Sequence, residues 1–260
     1  MNLNLREMWH YRELLYFLTW RDIKVRYKQA ALGISWAVIQ PVVNIVIFTF
    51  VFGGLFGLNK TGVNYPLLSA IGLLAWGLFA SALQRSSISL VGNANLLTKV
   101  YFPRLIIPIS SVLTGLVDFM ISFVIVMALV IYYQQPLTWH MLWLFPLTIL
   151  DLIIGLSVGL WLSALNVQYR DVQQAVPFLI ATWMYASPVA YSADMVTGQV
   201  ARVIYGLNPM AGVIEGFRWA IMGGQRPGDL FIISVIMVVV LFITGLFYFR
   251  RMEKSFADVV

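Results

Sequence analysis

The chain alternates long apolar runs with short polar interruptions. Six runs are long enough to cross a bilayer, near 35–57, 67–91, 106–132, 141–166, 173–191 and 229–249. A hydrocarbon core about 30 Å thick calls for about 20 helical residues. Nothing in that layer can satisfy backbone N–H and C=O groups from outside, so each run is predicted to be a helix despite its valines and isoleucines. A further apolar patch, 203–222, is broken by Gly206, Asn208-Pro209, Gly212, Glu215 and Arg218. As a full span it would carry Arg218 deep into hydrocarbon, at about 2.5–3.5 kcal/mol for a central arginine. The pattern instead predicts two short helices dipping into the outer leaflet, broken at Asn208-Pro209, where proline removes an amide donor. Glu215 and Arg218 stand three apart on one helical face and are expected to pair. The expected fold class is therefore an all-α integral membrane protein, with a cytoplasmic collar (1–34) and a six-span domain (35–260).

Composition agrees. Of 260 residues, 60% are hydrophobic and 11% charged, with a mean hydropathy of +0.84. Soluble domains carry about 25% charged residues, and the spans leave no room for a soluble catalytic domain. The net charge of +6 would fit a nucleic-acid binder, but its placement points elsewhere. With the amino terminus inside, the inner segments hold twelve Lys/Arg residues and the outer ones four (Lys60, Arg202, Arg218, Arg226); Arg85 falls within the second span. That asymmetry is the positive-inside bias, with both termini cytoplasmic, and no nucleic-acid partner is expected. Cysteine is absent, which excludes disulfides and thiolate metal sites within the chain. Charges of both signs fill the first positions, so no cleavable signal is expected. Asn59-Lys60-Thr61 matches a glycosylation acceptor, a pattern too short to carry weight.

Several constellations could carry function. Trp9–Lys28 interleaves aromatics with cations and suits a helix lying at the inner membrane surface. Arg21, Lys24 and Lys28 share one face; with Arg26 they either anchor the helix to anionic lipid or attract a substrate's phosphate. The loop Gly92–Arg104 reads as a short amphipathic helix ended before Pro103. Exposed Leu96, Leu97, Val100 and Tyr101 would need covering; with Asn95, Lys99 and Arg104 they form a docking knob for a cytosolic protein. Arg170 and Asp171 mark a span boundary or a second partner contact. Asp118 and Asp151 lie within the third and fourth spans, where an acid is a functional candidate by default. Thr114 and Ser122 stand four residues either side of Asp118 and could hydrogen-bond it locally. With no intramembrane His or Lys the two acids make a poor proton relay, and a proton-coupled secondary transporter is the rival reading. Aromatics crowd the first span (Trp36, Phe48, Phe50, Phe52, Phe56) and the fifth (Phe178, Trp183, Tyr185, Tyr191). They serve as belt and packing residues or line a glycan conduit, where rings offer apolar faces to sugars.

Motifs for chemistry are missing. The sequence has no G-x-x-x-x-G-K-[ST] phosphate loop and no H-E-x-x-H. His10 and His140 fall in separate predicted compartments. No metal, cofactor or catalytic residue is expected in this chain, and a membrane-embedded transferase would need a convergent acid or histidine pair that the sequence lacks.

Arg21–Lys28, Leu32–Trp36 with Gln40-Pro41, Asn95–Arg104 with Pro108, Asn166–Asp171, Ser187-Pro188 and Asn208–Arg218 occur in that order across nearly the whole chain. Together they resemble the polysaccharide-export branch of the second type of ATP-binding-cassette (ABC) exporter permease. The resemblance implies a homodimeric pore of six spans per subunit, bound to two copies of a separate cytosolic ATPase that carries the ATP and Mg. It implies a bacterial inner-membrane location and a glycan on an undecaprenyl-diphosphate carrier as substrate: an O antigen, or a teichoic or capsular polymer. It casts Trp9–Lys28 as the interfacial helix and Leu32, Gly33 and Trp36 as a cytoplasmic gate. Asn93–Tyr101 becomes the coupling helix, and Val203–Met222 a re-entrant pair closing the outer mouth. A drug or small-lipid exporter would share this architecture. The fifth span is less aromatic than in some relatives, which weakens the carry-over of a full aromatic lining there.

Overall fold

The computed structural model describes residues 5–28, 33–58, 64–169, 171–191, 198–224, 226–253 and 256. All regular structure among them is helical. Helices α1 (Leu5–His10) and α2 (Arg12–Lys28) form the collar, and α3 (Gly33–Phe48) continues through wider π-type turns over Thr49–Leu55. Then come α4 (Tyr65–Gly92), the short α5 (Ala94–Lys99), α6 (Ile106–Tyr132), and a tight turn at Trp139–Trp143 leading into α7 (Leu144–Gln168). Helices α8 (Val172–Tyr185), α9 (Gln199–Gly206), α10 (Pro209–Met222) and α11 (Asp229–Met252) complete the chain.

Five segments are long and apolar enough to cross a membrane: Ser35–Leu55, Tyr65–Gly92, Ile106–Tyr132, Trp139–Gln168 and Phe231–Met252. They coincide with five of the six predicted runs. The run at 173–191 differs: α8 has 14 residues, about 21 Å at 1.5 Å per residue, against a core of about 30 Å. The chain then turns through Ala186–Val189, where Pro188 disfavours a helical conformation at Ser187.

Helix α4 is the axle of the bundle, packed by α3, α6, α7, α8 and α10. In lipid, apolar burial gives no net drive for helix pairing, so small residues that permit close approach decide the seams. Gly155 and Gly159, one turn apart on α7, face Ala82 and Ser86 of α4; a Cβ at either glycine would lie 2.5 and 2.4 Å from those side chains' Cβ atoms. Gly212 against Ser234 repeats the device between α10 and α11. Ser234 donates across its seam to the carbonyls of Gly206 and Asn208, whereas Ser110 and Ser163 donate within their own helices to carbonyls three residues back.

Two apolar clusters result. The larger holds Leu67, Phe79, Ile154, Val213 and Phe217 in the body of the bundle. The smaller gathers Leu18, Leu90, Leu97, Leu105, Phe249 and Phe256 where the collar, α5 and the end of α11 meet.

Candidate functional site

A cavity of about 640 Å³ lies between α3, α4 and α6. Each helix presents polar residues one turn apart to it: Gln40 and Asn44 from α3, Ser81 and Arg85 from α4, Asp118 and Ser122 from α6. Side chains at i and i+4 share a helical face, so three polar stripes converge on this cavity. Phe48, Trp76 and Phe119 supply flat apolar walls.

The floor of the cavity is charged. Asp118 Oδ2 takes a hydrogen bond from Arg85 Nη2 at 2.9 Å and an ion pair from Arg26 Nη1 at 3.0 Å. Its Oδ1 accepts from the Tyr27 hydroxyl at 2.5 Å, and Arg85 Nε donates to Ser81 Oγ at 2.9 Å. Burial, and then the bond to Asp118, push the Tyr27 phenol up to about 12, so it stays a donor through neutral pH. Thr114, expected to serve Asp118, instead donates to the Ser111 carbonyl at 2.7 Å.

This cluster corrects the orientation expected for the collar. Leu18 of α2 joins the apolar cluster that holds Leu105 and Ile106 at the start of α6. Nine residues later Tyr27 reaches Asp118, which lies about 18 Å along α6 at 1.5 Å per residue. Helix α2 therefore climbs beside α6. The reason is its pattern: Tyr11, Leu14, Leu15, Leu18, Asp22, Ile23 and Tyr27 form an inward stripe, while Phe17 and Trp20 remain exposed. Arg85 and Tyr27 were not among the residues the sequence marked. A signal existed for Arg85: an arginine within a span needs a counter-ion, and Asp118 and Asp151 are the acids that fall well inside the predicted spans.

The remaining cations of α2 divide. Arg21, Lys24 and Lys28 do share a face, bordering a shallow depression of about 410 Å³ with Phe17, Trp20 and Val25. Lys24 Nζ sits 5.3 Å from the centre of the Trp20 ring. Arg21 pairs with Asp22 at 2.8 Å and donates to Asn93 Oδ1 at 2.7 Å, tying the collar to the α4–α5 junction. Arg26 alone turns to the cavity. Gly33 begins α3 and Trp36 is exposed on it. Leu32, Arg170 and the Asn59-Lys60-Thr61 triplet lie outside the described residues.

At α5 the docking knob needs correcting. Leu97 is buried and Leu96 half-buried in the smaller cluster, because a six-residue helix at the bundle's end covers the core with its apolar side. The exposed face is Asn95, Thr98 and Lys99, extended by Val100 and Tyr101. Arg104 also turns inward: it donates to the Glu253 carbonyl and stacks on Phe256, 5.8 Å from the ring centre.

The aromatic candidates separate in the same way. Phe48, Phe52 and Phe56 form a ladder with centroids 5.3 and 5.7 Å apart, and Phe48 borders the cavity. Tyr185 is exposed. Trp183 is a packing residue: its ring meets Phe79 edge-on at 5.1 Å, and its Nε1 donates to Asn208 Oδ1 at 3.0 Å. Asn208 caps α10 by accepting from the Met210 amide at 3.1 Å, and its Nδ2 donates to Ser187 Oγ at 2.8 Å. Pro209 at the first helical position needs no amide partner. Arg218 pairs with Glu215 at 2.8 Å, as the spacing predicts, and also donates to the carbonyls of Tyr191 and Val189 at 2.8 and 3.1 Å. Asp151 is fully buried, and neither carboxyl oxygen has a hydrogen-bond partner among the described residues.

Residues 13–222 match the model of the family described as ABC-2 type transporter. The chain is 32% identical to the O-antigen export system permease protein RfbA of Myxococcus xanthus, over 96% of each chain. It is 31% identical to the protein of the same name from Klebsiella pneumoniae, over 95% of each. The polysialic acid transport protein KpsM of Escherichia coli is 23% identical, over 90% of this chain and 92% of its own.

Proposed function

The chain belongs to the ABC-2 type transporter family, and from that premise we propose that it is the membrane-spanning permease subunit of an ATP-driven polysaccharide exporter. Its substrate is an O antigen or a related polymer on an undecaprenyl-diphosphate carrier, moved across the bacterial inner membrane. The observation that carries this reading is the similarity to O-antigen export permeases over nearly the whole of both chains. The missing phosphate loop supports a separate ATPase: hydrolysis of ATP with its Mg takes place on two cytosolic partner subunits. They push on the exposed face of Asn95, Lys99 and Tyr101, and Arg21 passes the movement to α2 through Asn93.

In this reading α8 and the turn after it complete a sixth crossing, and both termini are cytoplasmic. Two copies of the chain enclose the conduit, because the interior of one bundle is filled by side chains. The exposed apolar flank of α3 and of the turns that continue it, with Ile39, Val42, Val46 and Phe50, supplies a surface for lipid or the second copy. Helices α9 and α10 close the outer mouth as a re-entrant pair, and Leu32, Gly33 and Trp36 form the gate through which the lipid diphosphate enters.

Removal of the gene from its host tests the proposal. Surface polymer is expected to disappear while lipid-linked polymer accumulates inside, and a plasmid copy is expected to restore export; unchanged surface polymer would refute it. Asp151→Asn separates this reading from proton coupling. Neither carboxyl oxygen has a hydrogen-bond partner among the described residues through which a proton could pass, so export is expected to stay within about twofold of wild type. Loss of transport with normal protein levels would favour the proton-coupled reading.

A further inference from the structure

We propose that Arg85 and Arg26 form a binding site for the phosphate groups of a lipid-borne diphosphate, and that Asp118 is its resident competitor. The inference rests on the exporter reading and deepens it, by assigning the headgroup a place within the cavity in addition to the cationic face of α2.

The first argument is charge balance. Two guanidinium groups converge on one carboxylate oxygen, at 2.9 and 3.0 Å, so the floor carries one more positive charge than negative. Apolar surroundings make an uncompensated cation costly, and the surplus favours an added anion. The second is donor capacity. Arginine has five N–H donors in a planar fork. Arg85 spends Nε on Ser81 and one Nη2 donor on Asp118, which leaves Nη1 without a partner among the described residues. That fork matches phosphate oxygens better than a point charge would. The third is access. Arg85 and Asp118 are about one-fifth exposed and Arg26 nearly half, all three border the same cavity, and Arg26 rides on α2, the helix joined to the α4–α5 junction.

A single phosphate charge offsets the surplus with Asp118 in place. The second charge of a diphosphate competes with Asp118 for the two arginines, while the Tyr27 hydroxyl keeps the released carboxylate hydrogen-bonded. Asp118 thus stabilises the empty site and weakens the filled one. Gln40, Asn44 and Ser122 beyond the floor offer neutral hydrogen bonds to whatever follows the phosphates.

Opposite signs are the signature. With the permease–ATPase complex in detergent, binding of farnesyl diphosphate is measured by calorimetry, with farnesol and inorganic diphosphate as controls. Arg85→Gln is expected to weaken binding at least tenfold and Arg85→Lys less. Asp118→Asn is expected to tighten it several-fold, although it removes an ion-pair partner. A purely structural ion pair would have both changes weaken binding or leave it unaltered, and either result overturns the proposal. Should Arg85→Gln fail to assemble, Arg85→Lys and Asp118→Asn still give the two signs. Equal binding of inorganic diphosphate would reassign the site to a free anion and overturn the lipid assignment. Should farnesyl diphosphate not bind while gene removal still abolishes surface polymer, this inference falls and the exporter reading stands. Binding with the expected signs in a host whose export survives gene removal would do the reverse.

Discussion

Replacing Arg218 with leucine is expected to destabilise the protein by about 3 kcal/mol and to free α10 from the turn that follows α8. The guanidinium is 6% exposed and joins three oxygens: Glu215 on its own helix and the carbonyls of Val189 and Tyr191. Leucine fills much of the volume but leaves a carboxylate and two carbonyls without that donor, and unsatisfied buried groups cost more than a hydrogen bond contributes. The lower end of the range for a broken buried pair applies because Glu215 is 21% exposed. Gly72 makes the arrangement possible, since a Cβ there would lie 2.7 Å from the Val189 oxygen and 3.2 Å from Arg218 Nη2. Arg218→Lys is expected to be intermediate, because one ammonium cannot span the three acceptors. Glu215→Gln added to Arg218→Leu should recover part of the loss, because the carboxylate's charge no longer has that guanidinium to offset it. Thermal unfolding of the detergent-solubilised protein measures all three; a midpoint unchanged by Arg218→Leu would mean that these bonds do not hold the outer elements.

What the sequence made legible follows from what is local. Five spans could be read because about 20 apolar residues in a row have few other uses, and Glu215–Arg218 because three residues on a helix fix the geometry. The Arg85–Asp118 pair could not be read from spacing: 33 residues separate them, and the register of α4 against α6 is set by packing. The role of Asn208 was hidden for the same reason, since three of its partners, Trp183, Ala186 and Ser187, come from α8 and the turn beyond. The reading of Leu97 failed differently. A helix as short as α5 has apolar and polar sides in any case, and only the presence of Phe102, Leu105 and Phe256 decides which side turns in. The collar was misjudged because its aromatics were assigned to headgroup depth, whereas the stripe ending at Tyr27 finds an acid within the bundle.

One local signal was present and unused: Gly155-Leu-Ser-Val-Gly159, two glycines one turn apart on α7. Gly159→Leu is expected to abolish the folded permease, and the smaller change Gly159→Ala to destabilise it by about 1–3 kcal/mol. The obstacle is specific. An added Cβ would lie 2.4 Å from Ser86 Cβ and 2.5 Å from its Oγ, atoms fixed by α4 rather than the tip of a flexible chain. Alanine's better helix propensity returns at most about 1 kcal/mol, too little to offset a forced separation of α4 and α7 along their length. Ser86 Oγ has no hydrogen-bond partner among the described residues, so Ser86→Gly removes the obstacle without breaking a bond there. The pair Gly159→Ala with Ser86→Gly should therefore regain most of the stability that Gly159→Ala loses, whereas Ser86→Gly alone should gain none. Monodispersity on size exclusion and the unfolding midpoint report both effects. Equal midpoints for Gly159→Ala with and without Ser86→Gly would show that the seam is not held by this close approach.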